Sequence, residues 1–376
     1  TNIATVINHG GLTLQDLTIS SGNTTSTAMQ VISGANLTID NVQFTGNLES
    51  VSGSNQILIK NSDVSGNVEI NNNTTLNIEG VVTINGQAAS NRSLILSSGA
   101  IFNQPNDTRL ILNGANWTNN GATLNLGSNT AIQLSGSVSS SIGGLSSTAF
   151  NSLLVNSTAT ITAGNAFSAK KWLQSSAGIL NTGTHTVTIS DTLLTSTGSV
   201  TSSGAGKIVL AGTGTEPSYV QGTFHTLECS NSNGTQLLGD VHVESAASVL
   251  SGIVATGAFS FNINVANPAA LSYSTGTWFD GTLRRNVGAG LYDFPVGTAT
   301  NLQRLQININ SISGGLQQLT ARFTAQNPIS HPVASTFNQQ LEGMSLYTGL
   351  LPEGYWSLTP NTGSADYELR VFPTFS

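Results

Sequence analysis

Phe150, Leu153, Gly178, Ile179, Thr182, Gly183, Val187 and Ile189 recur in the same order as Phe224, Leu227, Gly252, Ile253, Thr256, Gly257, Phe261 and Ile263, each 74 positions later (150 to 224, 189 to 263). A gapless period of this length constrains the fold more than any other feature of the chain. It is the mark of a stacked, quasi-one-dimensional architecture, in which each unit buries its apolar edge against the next. The register also explains the lone cysteine. Cys229 falls where the first copy has Val155, so it is expected to be an inert core thiol rather than a nucleophile.

A second, looser ladder precedes this repeat. Residues 12–19, 37–44, 57–64 and 76–84 overlay one another, with starts 25, 20 and 19 positions apart. Each phrase alternates apolar and polar residues, turns a two-residue corner, alternates again, and is followed by a return rich in Gly, Ser and Asn. That is one coil of a parallel β-helix. Asp16, Asn41, Asn61 and Gly80 hold the corner position, and these residue types accept a left-handed backbone at low steric cost. Residues 94–96, 110–117, 124–126 and 132–134 read as further coils.

Composition decides between a solenoid and a disordered linker. Only 8% of the 376 residues are charged, against about a quarter in ordinary globular chains. Yet 38% are hydrophobic, and they come in alternating bursts, as half-buried strands require and disorder does not. A net charge of −7 with 11 Lys and Arg excludes the concentrated basic face that nucleic acid needs. No apolar run approaches the roughly 20 residues of a membrane-spanning helix. The chain starts at Thr1 without a basic-then-apolar leader, and is read as a processed chain or a fragment. The one helix candidate, 163–173, lacks an apolar stripe, and its twin around Val241-His-Val243 alternates, so a strand is expected there.

After about Ser272 the aromatics and arginines become denser. Strands are expected at 278–287, 291–295, 302–312, 317–325, 344–350, 355–358 and 367–372, in an antiparallel sandwich. The expected fold is therefore all-β: a right-handed parallel β-helix followed by a C-terminal antiparallel β-sandwich. Its expected divisions are 1–145 for the β-helix, 146–272 for the tandem repeats continuing the stack, and 273–376 for the sandwich module.

Gly281-Thr-Leu-Arg-Arg-Asn-Val-Gly-Ala-Gly-Leu-Tyr-Asp-Phe-Pro-Val-Gly297, with Gly354-Tyr-Trp-Ser-Leu358 and Tyr367-Glu-Leu-Arg-Val371, resembles a module of large extracellular, adhesin-like proteins of Bacteroidota. Tyr292-Asp-Phe-Pro-Val-Gly297 is its most specific piece, and with the upstream repeats the resemblance covers roughly the C-terminal 230 residues. It implies export by the type IX secretion route and a place at the cell surface or in a filament. Like subunits, other domains of the same protein, or an extracellular polysaccharide are the implied partners.

Parallel β-helices also include polysaccharide lyases and hydrolases, so the ionisable residues have to be weighed as a site. Asp40, Lys60 and Glu79 share one column just before the corner. They read either as a base with its partners or as alternating charges that pair across coils on a solvated face; the second reading is preferred. His9, His185, His225, His242 and His331 show no metal-ligand spacing, and His185 aligns with Phe259, a packed or edge position. No catalytic, cofactor-binding or metal-ligating residue is assigned, and no cofactor is called. Trp278, Tyr292, Tyr347, Tyr355 and Trp356 read as sandwich core rather than as a sugar-stacking platform. Thr13 and Thr38 begin a possible outward threonine row, too short for a lattice match. Asn-x-Ser/Thr triplets at Asn36, Asn116, Asn156 and Asn233 arise by chance in such a composition, and Asp191-Thr192-Leu193 resembles a short O-glycosylation signal.

Overall fold

The computed structural model describes residues 6–20, 27–86, 92–195, 198–212, 214–326 and 354–373. The protein is all-β, with 67% of residues in strands and a single 3-10 turn, Pro268–Ala270, among the described residues. Two compact units are present, Thr1–Ala211 and Gly212–Ser376. Their boundary falls inside the 146–272 segment, so the matched positions of the first copy (150–189) lie in the first unit and those of the second (224–263) in the second.

In the first unit, coils stack as parallel ladders. One six-stranded sheet contains Gly11–Gln15, Asn36–Asp40, Gln56–Lys60, Thr75–Glu79, Ile101–Gln104 and Thr123–Leu126. Its register sets Leu12, Leu37, Ile57, Leu76, Phe102 and Leu124 in a single row. Leu37, Ile57, Leu76 and Phe102 are buried. Because alternate residues of a strand face opposite ways, this one row fixes which side chains are inside. The other ladders of the unit are parallel too, ending with Thr186–Ile189 beside Lys207–Leu210.

The corners are where the sequence places them. Asp16, Asn41, Asn61 and Gly80 have φ of 50°, 54°, 45° and 63°. They support one another from coil to coil: Asn41 Nδ2 donates to Asp16 Oδ1 at 2.7 Å, and Val81 N donates to Asn61 Oδ1 at 3.3 Å. A Cβ on Gly80 would run into that same Asn61 oxygen, so glycine here answers a contact as well as a dihedral angle.

Deeper in the unit an aromatic spine runs along the stack. Phe102, Trp117, Phe150 and Phe167 meet edge to face, with centroids 5.6, 5.3 and 5.8 Å apart, an arrangement the ring quadrupoles favour. Trp117 Nε1 finds its acceptor in Thr148 Oγ1 at 3.0 Å. Residues 163–173 form no helix: Ala163 ends one strand and Phe167 begins the next, Phe167–Asn181, with a short bend at 164–166 between them, so the expected strand is present over most of the segment.

The repeat holds residue by residue in the two units. Phe150 and Phe224, Leu153 and Leu227, Thr182 and Thr256, and Ile189 and Ile263 are all buried. Gly178 and Gly252 share a left-handed φ (68° and 70°), as do Gly183 and Gly257 (56° and 60°). Cys229 and Val155 are buried alike.

The second unit begins as a parallel ladder of Ser218–Cys229, Thr235–Val249, Val254–Ile263 and Phe279–Asn286. It then changes direction. Phe279–Asn286 pairs antiparallel with Gln318–Thr324, which pairs with Tyr355–Pro360. Gly290–Gly297 pairs antiparallel with Leu302–Ser313, which pairs with Ser364–Phe372. Each strand expected in the C-terminal region corresponds to one of these, except 344–350, which lies outside the described residues, as do Tyr347 and His331.

Candidate functional site

The six-stranded sheet of the first unit presents a regular outward face. Its register places Gln15, Asp40, Lys60 and Glu79 side by side in one column, so the charged column is real. Lys60 Nζ lies 3.7 Å from Asp40 Oδ2, with the two side chains 40% and 26% exposed. A half-exposed pair of this kind contributes about 0–1 kcal/mol. The column has the geometry of cross-strand charge pairing, with the lysine between the two carboxylates.

Beside it runs a feature that the sequence reading missed. Asn103 Nδ2 donates to Asn77 Oδ1 at 2.8 Å, and Asn125 Nδ2 donates to Asn103 Oδ1 at 2.8 Å. Identical amides in register hydrogen-bond along the stack, which keeps the face polar while leaving few groups to solvate. The signal was present as an asparagine following the first inward residue in three consecutive coils: Leu76-Asn77, Phe102-Asn103 and Leu124-Asn125. Thr13 and Thr38 are register neighbours, but the next position in their row is Leu58, so the threonine row ends there. A shallow recess of roughly 670 Å³ borders the ladder, lined by Asn77, Asn103, Pro105, Asn125 and Gly127.

On another ladder of this unit Glu69 sits directly opposite Glu49. Burial first, and the Glu49 charge second, raise the Glu69 carboxyl above its ordinary value. Gln30 Nε2 donates to Glu49 Oε2 at 3.3 Å.

In the second unit the Tyr292-to-Gly297 motif builds its own environment. Tyr292, Phe294 and Val296 point inward and are fully buried. Arg285 is buried with them, its guanidinium carbon 5.0 Å from the Tyr292 ring centroid and 5.9 Å from that of Phe294. Three main-chain carbonyls accept from it: Asp293 O at 2.9 Å, Pro268 O at 2.8 Å and Asn267 O at 3.2 Å. Burial pulls its pKa down to about 10, which leaves it a cation at neutral pH. The Asp293 side chain points the other way and takes a bidentate pair from Arg304, Nε to Oδ1 and Nη2 to Oδ2, both 2.7 Å. Tyr273, whose pKa burial and then the Asp293 charge push up to about 12, lines a recess of roughly 530 Å³ together with Asp293, Arg304, Leu302 and Ser274.

Against this geometry, the chain matches no family model, no curated protein and no solved structure.

The remaining sequence candidates take structural places. Trp278 Nε1 donates to Thr298 O at 2.7 Å and Trp356 Nε1 to Gln303 O at 3.0 Å, and Trp356 packs on Phe323 with centroids 5.1 Å apart. Tyr292 is core, and its hydroxyl accepts from Gly288 N at 2.9 Å. Burial raises the Cys229 thiol to about 12, far from the thiolate that reactivity needs. His185 and its repeat counterpart Phe259 both lie at least partly exposed. Among the described residues no group of three or more His, Cys, Asp or Glu is placed to hold a metal ion, and no helix is long and apolar enough to cross a membrane. Chemically, these surfaces offer amides, hydroxyls and paired charges, which suit hydrogen bonding to polyhydroxylated or polar surfaces.

Proposed function

We propose that the chain is a structural or adhesive segment of a secreted, cell-surface bacterial protein, a rigid extracellular spacer or filament component that positions other domains. In this reading the β-helix is right-handed, as parallel crossovers overwhelmingly are, and the antiparallel strands after Phe279 close into a sandwich. The observation that carries the proposal is the in-register stack itself. Buried apolar rows inside and amide ladders outside make each coil a rigid step built on the one before. Low charge density suits a surface that meets variable ionic strength, since screening removes little of its stability. The resemblance of the Tyr292-to-Gly297 region to extracellular Bacteroidota proteins supports a surface location and type IX export.

The Asn77–Asn103–Asn125 recess favours a second reading, a glycan-binding or glycan-cleaving face on the six-stranded sheet. One experiment separates the spacer from the glycan-cleaving face. Purified protein is incubated with acidic and neutral polysaccharides and assayed for new reducing ends and unsaturated products. No turnover is expected, and deleting the segment from its parent protein is expected to weaken attachment or filament assembly while growth on soluble sugars is unchanged. Turnover that disappears in Asp40→Asn or Glu79→Gln would establish the enzyme instead.

A further inference from the structure

Among the described residues, the last strand, Ser364–Phe372, is an edge with a paired neighbour on one side only. On one side it pairs with Leu302–Ser313, setting Val371 against Leu305, Leu369 against Ile307 and Tyr367 against Ile309. Directly paired residues share a face of the sheet, so these six form one continuous apolar surface. Leu305, Ile307 and Ile309 are 1–2% exposed, whereas Val371, Leu369 and Tyr367 are 46%, 47% and 51% exposed. No described strand pairs with the far side of Ser364–Phe372. An edge with open main-chain groups and a row of large apolar side chains is a template for another strand.

The sequence of the edge specifies which strand. Around Leu369 it reads Asp366-Tyr367-Glu368-Leu369-Arg370-Val371-Phe372. A two-fold axis through Leu369 sets this strand antiparallel to a copy of itself. Leu369 then meets Leu369, and Tyr367 meets Val371 twice on the apolar face. On the other face Glu368 of each copy meets Arg370 of its mate. Opposite charges directly across an antiparallel pair stabilise it, and like charges oppose it, so the register that buries the apolar row also pairs both charges. We infer that Ser364–Phe372 is a homodimerisation edge, joining two copies of the chain in one continuous antiparallel sheet. The contact is isologous and closes at two copies; it joins chains side to side and does not propagate. This goes beyond the spacer reading, and it stands or falls whether or not the chain works at a cell surface.

The test is the mass of the full chain in solution, by analytical ultracentrifugation at micromolar concentrations. A species of twice 38.8 kDa is expected. Glu368→Arg and Arg370→Glu each set like charges across the axis at two places, and each raises the dissociation constant on the order of tenfold or more. Mixing the two variants restores a dimer, because the edge of the first then carries only positive charge at these two positions and meets only negative charge on the second. The double variant E368R/R370E likewise dimerises as the parent does. Leu369→Lys, on an exposed position, gives a folded monomer by circular dichroism. A parent that stays at 38.8 kDa, including one whose edge is covered by another segment of the same chain, overturns the inference. So does a dimer indifferent to Leu369→Lys and to both charge reversals.

Discussion

Asn41 shows how much a single residue decides in this molecule. Its φ of 54° is a conformation that costs most L-residues about 1–2 kcal/mol, and its carboxamide spans to Asp16 of the neighbouring coil. Asn41→Val combines a β-branched side chain with that backbone and deletes the coil-to-coil hydrogen bond. It is expected to destabilise the first unit by about 2 kcal/mol, measured as a lowered urea midpoint with an unchanged slope. These corners were legible in the sequence because Asp, Asn or Gly occurred at one position of each phrase. Arg285 was not. Alternation puts it on the inward face with Phe279 and Leu283, where a charge is not expected, and only the fold reveals that three main-chain carbonyls and two aromatic rings enclose it.

At the scale of the element, each strand is defined by its register with the previous coil, and register is what the sequence conveys least evenly. The phrases from 12 to 84 could be laid over one another because their returns are of similar length, so the Asp40, Lys60 and Glu79 column was found. The return strands carry no such punctuation, and the Glu49–Glu69 pair they create went unseen. That pair has a measurable consequence. Glu69 has a raised pKa in the folded chain, so the folded state binds its proton more tightly than the unfolded state does. Its contribution therefore becomes less favourable as pH rises from the ordinary value of 4.5 through the raised one, and recovers as pH falls back through that window. Glu69→Gln is expected to stabilise the protein at pH 7 by less than about 1 kcal/mol, because solvent screens a partly exposed pair. It should also flatten the stability profile in that window; denaturant melts of both proteins across pH 4 to 7 measure it.

For the molecule as a whole, the scarcity of charge predicts a scarcity of salt effects. Raising NaCl from 50 mM to 0.5 M collapses the Debye length to a few ångströms, yet few ion pairs exist among the described residues to be screened. The melting temperature is expected to move by less than about 2 °C, read by calorimetry at both concentrations. The same stacked ladder bears on how the chain reaches its fold. The hydrogen bonds that tie the coils of the first unit together mostly span some 19 to 28 residues, as in Asn55 to Thr74 and Asn8 to Asn36, so no strand there has to wait for a distant one to be made. The loop to be closed stays about the same length however long the stack becomes, and its entropic cost grows only with the logarithm of that length. Folding of such a ladder is growth from a seed: once one coil is laid down its edge is the surface on which the next condenses, and the slow event is the first coil, not the last.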